Sequence, residues 1–159
     1  KNAENSQLLH REVSYTAYQF PFAINLEDCR PQPEWTRVLL QAMGQNNNVA
    51  GNHARSYFDM SPASMVVRLT PRLAAGYDTY GFRVDEQDQH RFPEVMEGII
   101  HGDLPGDEFY LGGRLIKGLD EATIGELEKR GANLYRDCQK LLDELSDRVV
   151  EYLTSPKGE

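Results

Sequence analysis

No apolar run in this 159-residue chain comes near the roughly 18 residues that a membrane span requires. No basic-then-apolar leader stands ahead of a small-residue cleavage site, so the sequence reads as a protein of the cytoplasm with no membrane partner. Cysteine is scarce: Cys29 and Cys138 are too few for a disulfide framework and fit a reducing compartment. His10, His53, His90 and His101 form no H-x-x-x-H or H-x-H pair, and no C-x-x-C exists, which leaves zinc without a recognisable ligand set. Neither G-x-G-x-x-G nor G-x-x-x-x-G-K-[ST] occurs, so a nucleotide cradle is missing and no cofactor is expected. A basic excess is missing too. The 17 Lys and Arg stand against 25 Asp and Glu, a net charge of −8, which at first sight argues against a polyanionic partner.

What is present is an ordinary globular composition, 40% apolar and 26% charged. That excludes wholesale disorder and suits a domain with a core of its own. The charge is unevenly placed. Residues 1–80 hold 7 basic and 7 acidic side chains, whereas residues 81–159 hold 10 and 18. Between Met43 and Tyr80, Arg55, Arg68, Arg72 and His53 face only Asp59 and Asp78, so this stretch is the better surface for a polyanion.

The periodicities give an α+β class, with strands in the first half and helices in the second. Residues 8–24 alternate like a strand, Tyr18, Phe20 and Phe22 facing one way, with Pro21 suited to an edge. Residues 33–44 read as a helix with Pro33 in its first turn, Trp35, Val38, Leu39, Ala42 and Met43 on its apolar side, and Gly44 as its stop. Short strands are expected over 49–82, including a buried one at 63–70 and an aromatic one at 77–82. A helix is expected over 92–101, and 102–113, rich in Gly and Pro, reads as loop. Asp120 is a good N-cap for one amphipathic helix running to Leu153. The organisation expected is therefore 1–118 as one unit, with 119–159 as a C-terminal helix packed on the same domain or on a neighbour.

Few residues suggest catalysis. Cys138 falls on the apolar seam of the last helix, as a small buried side chain would. Gly51-Asn52-His53 resembles a block of calcineurin-like metallophosphoesterases, but Ala54 follows it, and the D-x-H and G-D-x-x-D blocks that should precede it are absent. Asp103, Asp107 and Glu108 could hold a divalent cation or simply form a solvated turn. A metal-dependent phosphoesterase is thus an alternative reading. A module docking through the 120–153 helix is another.

Three blocks in fixed order are more specific. They are His10-Arg11-Glu12-Val13 running into Tyr18-Gln19-Phe20-Pro21-Phe22-Ala23; Val49 through Phe58, with Gly51-Asn52-His53-Ala54-Arg55 at its centre; and Ser61-Pro62-Ala63-Ser64-Met65-Val66-Val67-Arg68-Leu69-Thr70. Together they resemble the C-terminal half of the CRISPR-associated autoregulator family, also called the DevR family. Members are about twice as long, so the resemblance implies a partial chain without the N-terminal half.

The resemblance further implies a modified RRM-like (ferredoxin-like) palm with insertions, acting as a non-catalytic backbone subunit of a type I (I-B-like) Cascade surveillance complex in antiviral defence. Its implied partners are CRISPR RNA, target DNA through the guide, adjacent copies of itself and other Cascade subunits. A guide must be held by its phosphates so that its bases stay readable. Asn48, Asn52, His53 and Arg55 offer suitable donors within one short stretch, with Arg11 and Arg68 as further candidates. Tyr15, Tyr18, Phe20 and Phe22 could stack on bases, although their alternation assigns at least half of them to a core.

Overall fold

A computed structural model of the chain describes residues 17–47, 49–50 and 57–155. Helix α1 (Pro33–Gly44) forms where the sequence expects it, with Pro33 and Glu34 in its first turn. Strands β1 (Val49–Ala50) and β2 (Tyr57–Phe58) pair antiparallel, and the Met60 N–H donates to the Asn46 carbonyl at 2.7 Å beside them. After them come β3 (Ser64–Arg68), a hairpin of β4 (Arg83–Val84) and β5 (His90–Arg91), and α2 (Pro93–His101). The chain continues through β6 (Phe109–Gly113), the short α3 (Arg114–Lys117), α4 (Glu121–Lys129), β7 (Asn133–Tyr135) and α5 (Cys138–Thr154).

Strand β6 is the centre of a mixed sheet ordered β3-β6-β7, antiparallel to β3 and parallel to β7. All five of its residues are buried. Its period-2 alternation sends Phe109 and Leu111 into a cluster with Phe92, Val95, Ile99 and Leu127, and Tyr110 into another with Leu40, Leu141, Leu145 and Val149. Helices therefore cover both faces, α2, α3 and α4 on one and α1 and α5 on the other. Residues before and after Gly118 contribute to both clusters.

The mixed α/β class agrees with the sequence, but several elements differ from expectation. The stretch 102–113 was expected as loop, yet it contains the central strand. Its glycines are a packing requirement. A Cβ on Gly112 would lie 2.7 Å from Leu141 Cδ1, and one on Gly113, at φ +79°, would lie 2.2 Å from the Ala63 carbonyl oxygen.

The single helix expected over 120–153 is two helices with a strand between them. Asp120 does cap the first, accepting from the Thr123 N–H at 2.9 Å. Gly131 then adopts φ +88° just past Lys129 and ends that helix, and Asp137 caps the second through the Lys140 N–H. The apolar seam was real, but Leu134 belongs to β7.

The aromatic strand expected over 77–82 is a series of turns. Tyr77 and Phe82 set their rings edge-on to Phe92, with centroids 5.7 Å and 4.8 Å away. Over 17–24 the chain makes no strand pairing among the described residues, and the remainder of the 8–24 expectation lies outside them. Tyr18, Phe20 and Phe22 are exposed, Phe20 at 81%, so none of these three is core.

Of the apolar side expected for α1, Met43 packs inward but the other positions do not. Trp35 is 73% exposed, Val38 62% and Leu39 44%, whereas Thr36 and Leu40 are buried against α5.

Candidate nucleic-acid interface

Asn48, Asn52, His53, Arg55 and Arg11 lie outside the described residues, as does the Gly51-Asn52-His53 block. Their chain context is fixed by what flanks them. The register pairs Val49 with Phe58 and Ala50 with Tyr57, so residues 51–56 connect the two strands of a hairpin. The Asn46–Met60 backbone bond ties its base to the end of α1 and the approach to β3.

Arg68 is the one candidate among the described residues, and its guanidinium is turned inward. It is 4% exposed. Nε donates to Glu108 Oε2 at 2.7 Å, Nη2 lies 2.7 Å from the same oxygen, and Nη1 donates to the Ala75 carbonyl at 2.6 Å. The Phe109 ring lies beneath the guanidinium, 5.2 Å to its centroid. Gly76, at φ +78°, leaves room for this arrangement, because a Cβ there would sit 2.5 Å from Nη1.

Asp59 and Asp78 are the only acids between Met43 and Tyr80. Both cap turns, accepting from the Ser61 and Tyr80 N–H groups. Burial pushes the Glu108 carboxyl up, but hydrogen bonds from Thr70 and Arg68 and the charges of Arg68 and Arg72 outweigh it, leaving Glu108 below its ordinary value. One member of the expected acidic turn is thus an internal counter-ion. Among the described residues, no group of three His, Cys, Asp or Glu side chains is arranged to hold a metal ion.

Sequence reasoning missed one polar constellation. Ser64 Oγ accepts from the Leu115 N–H at 2.9 Å and lies 2.8 Å from His90 Nδ1. The Ser64 hydroxyl thus bridges the Leu115 N–H and His90 Nδ1. Asp88, at φ +57°, pairs with Arg114 and leaves its other oxygen 3.8 Å from Nε2. That gap is too long for a hydrogen bond. The group clasps the β4–β5 hairpin to β3 and α3, and it lacks the close His–carboxylate contact of a nucleophilic relay. The residues come from three separated segments and form no local motif, so spacing alone had no way to reveal them.

Several cations have no carboxylate within 4.0 Å among the described residues, including Arg72, Lys117, Arg130 and Arg136. Lys117 lies close enough to Cys138 to act on its thiol, and Arg136 precedes that cysteine by two residues. Burial is the main reason the thiol is pushed up to about 11, with Asp137 adding to the shift and Lys117 opposing it. Cys138 is therefore an inert core residue, as its seam position suggested. Lys117 follows β6 and Arg136 follows β7, with Asp137 beside Arg136, so the charge there is mixed.

No helix among the described residues is long and apolar enough to cross a membrane. No protein-family model matches the chain. It is similar to a protein of Myxococcus xanthus (strain DK1622) named CRISPR-associated protein Cas7/Cst2/DevR, with 34% identity over 122 residues. The match covers 75% of this chain and 39% of the relative, so the chain spans well under half of the relative's length. It takes in most of the described fold, and on this similarity the chain belongs to the CRISPR-associated Cas7/DevR family.

Proposed function

We propose that this chain is part of a non-catalytic, RNA-binding backbone subunit of a type I Cascade surveillance complex acting in the cytoplasm in antiviral defence. The observation that carries the reading is the 34% identity to a CRISPR-associated Cas7/Cst2/DevR protein. The hairpin setting of residues 51–56 supports it, since Asn52, His53 and Arg55 all fall on the connection between β1 and β2. In this reading the connection, with Asn48 at its base, grips the CRISPR RNA by phosphate and 2′-hydroxyl, leaving bases free to pair with target DNA. Arg11 contributes a further phosphate contact, and Arg68 serves the fold.

The β3-β6-β7 sheet is then a portion of an RRM-like palm, and neighbouring copies and other Cascade subunits are its protein partners. Helices cover both of its described faces, so in this reading RNA is held by loops and not stacked across those strands.

The test uses the full-length polypeptide and guide RNA. Binding should be tight, indifferent to sequence and steeply salt-dependent. Arg55→Ala should lower the slope of log K against log salt by about one, with an unchanged melting temperature. An unchanged affinity and slope would overturn the site, and absence of RNA binding by the unaltered polypeptide would overturn the function.

A further inference from the structure

The acidity of the C-terminal half has no use in gripping phosphate, and much of it gathers around one cleft. Residues 85–97 hold 5 acidic side chains and 1 Arg, and residues 118–128 hold 4 acidic side chains and no basic one. Part of this charge serves the fold. Asp88 pairs with Arg114, Asp85 accepts from the Gln87 and Gln89 N–H groups, and Glu94 accepts from the Asp78 N–H at 3.1 Å. Glu97 and Asp120 instead stand on the walls of the cleft.

The cleft encloses about 270 Å³ between α2, β5 and the turn from α3 into α4. Pro93, Met96, Glu97 and Ile100 line one wall, falling at i, i+3, i+4 and i+7 and so on one face of α2. Leu119, Asp120 and Thr123 line the other. Met96 is buried in the cluster built on Phe92 and Leu127, and Ile100 and Leu119 pack against the same cluster, which gives the cleft a firm apolar floor. The Thr123 N–H and hydroxyl each donate to the Asp120 carboxylate at 2.9 Å, fixing it in place and holding it below its ordinary value. Arg91 also lines the cleft, but its guanidinium reaches back toward Asp85 at 3.8 Å and Gln89 Oε1 at 3.4 Å. Acids are therefore in excess over the apolar floor.

This combination has a definite chemical complement. An anion would meet Glu97 and Asp120, and a wholly apolar side chain would strip water from both carboxylates without replacing it. A hydrocarbon stem ending in a cation satisfies floor and rim together.

We infer that the cleft between α2 and α4 is a docking site for a basic segment of a partner protein, which inserts one arginine side chain. Its methylenes lie on Met96, Ile100 and Leu119, and its guanidinium sits between Glu97 and Asp120. Nothing in this docking depends on RNA or on residues 51–56.

The test follows methyl resonances of the full-length polypeptide while acetyl-Ala-Arg-Ala-amide is added. The Met96, Ile100, Leu119 and Thr123 methyls should shift and saturate at millimolar peptide, whereas peptides with norleucine or glutamate in place of arginine should leave them unmoved. Glu97→Gln combined with Asp120→Asn should weaken the arginine peptide about five-fold. Asparagine still caps α4, so the melting temperature should hold and report that the fold is intact. Methyls that ignore the arginine peptide, that move equally with the norleucine or glutamate peptide, or that respond unchanged in the double variant would overturn the inference.

Discussion

Strand β6 and helix α1 are both apolar on one pattern or another, yet they meet opposite fates. Every residue of β6 is buried, between clusters built by α2, α3 and α4 on one side and α1 and α5 on the other. Helix α1 has the cleaner amphipathic spacing, but it buries Thr36 and Leu40 and leaves Trp35, Val38 and Leu39 in solvent. Patterning declares that a face wants cover. Whether cover exists depends on which other elements are at hand. The β6 body is therefore expected to carry the stability of the chain, and the outer flank of α1 to carry almost none.

The sharpest way to break this contrast is Leu141→Ala. Leu141 is fully buried over Gly112, where no side chain can close the gap, so the substitution should cost about 3–4 kcal/mol in urea unfolding. Glu108→Gln should follow at about 3 kcal/mol, because it strands the buried Arg68 guanidinium.

The same pair gives an acid limb. The folded Glu108 value lies below the unfolded one, so its contribution is complete above the ordinary carboxylate range and is lost as pH falls through the folded value. Glu108→Gln should flatten that part of the stability–pH curve. A steep limb of unchanged size would show that other carboxylates carry it.

Trp35→Ala is the smallest expected effect, within about 0.5 kcal/mol in the 159-residue chain. A loss as large as that of Leu141→Ala would erase the comparison.

How much of this was legible follows the same division. Helix α1, the capping Asp120, a strand within 63–70 (half-buried where a buried one was expected) and the core position of Cys138 rest on local signals: a first-turn proline, a side-chain acceptor, a run of branched apolar residues, an apolar seam. Strand β6 was hidden because Gly112 and Gly113 look like loop residues until Leu141 and Ala63 are set against them. The break at Gly131 was hidden because apolar spacing continued through Leu134 as though the helix had not ended.

Arg68 shows the limit for the candidate site. Its counter-ion, Glu108, is forty positions away in sequence, so an arginine in a strand read as a surface cation when the fold uses it inside. For the hairpin connection, polar composition and the ordered blocks gave the candidates, and the pairing of β1 with β2 gives their setting.

Ultraviolet cross-linking of guide RNA to the full-length polypeptide, mapped by mass spectrometry, tests the central claim most directly. The expected result is cross-linked peptides from residues 51–56, diminished by Arg55→Ala. Cross-links confined to other surfaces, or none at all, would contradict it.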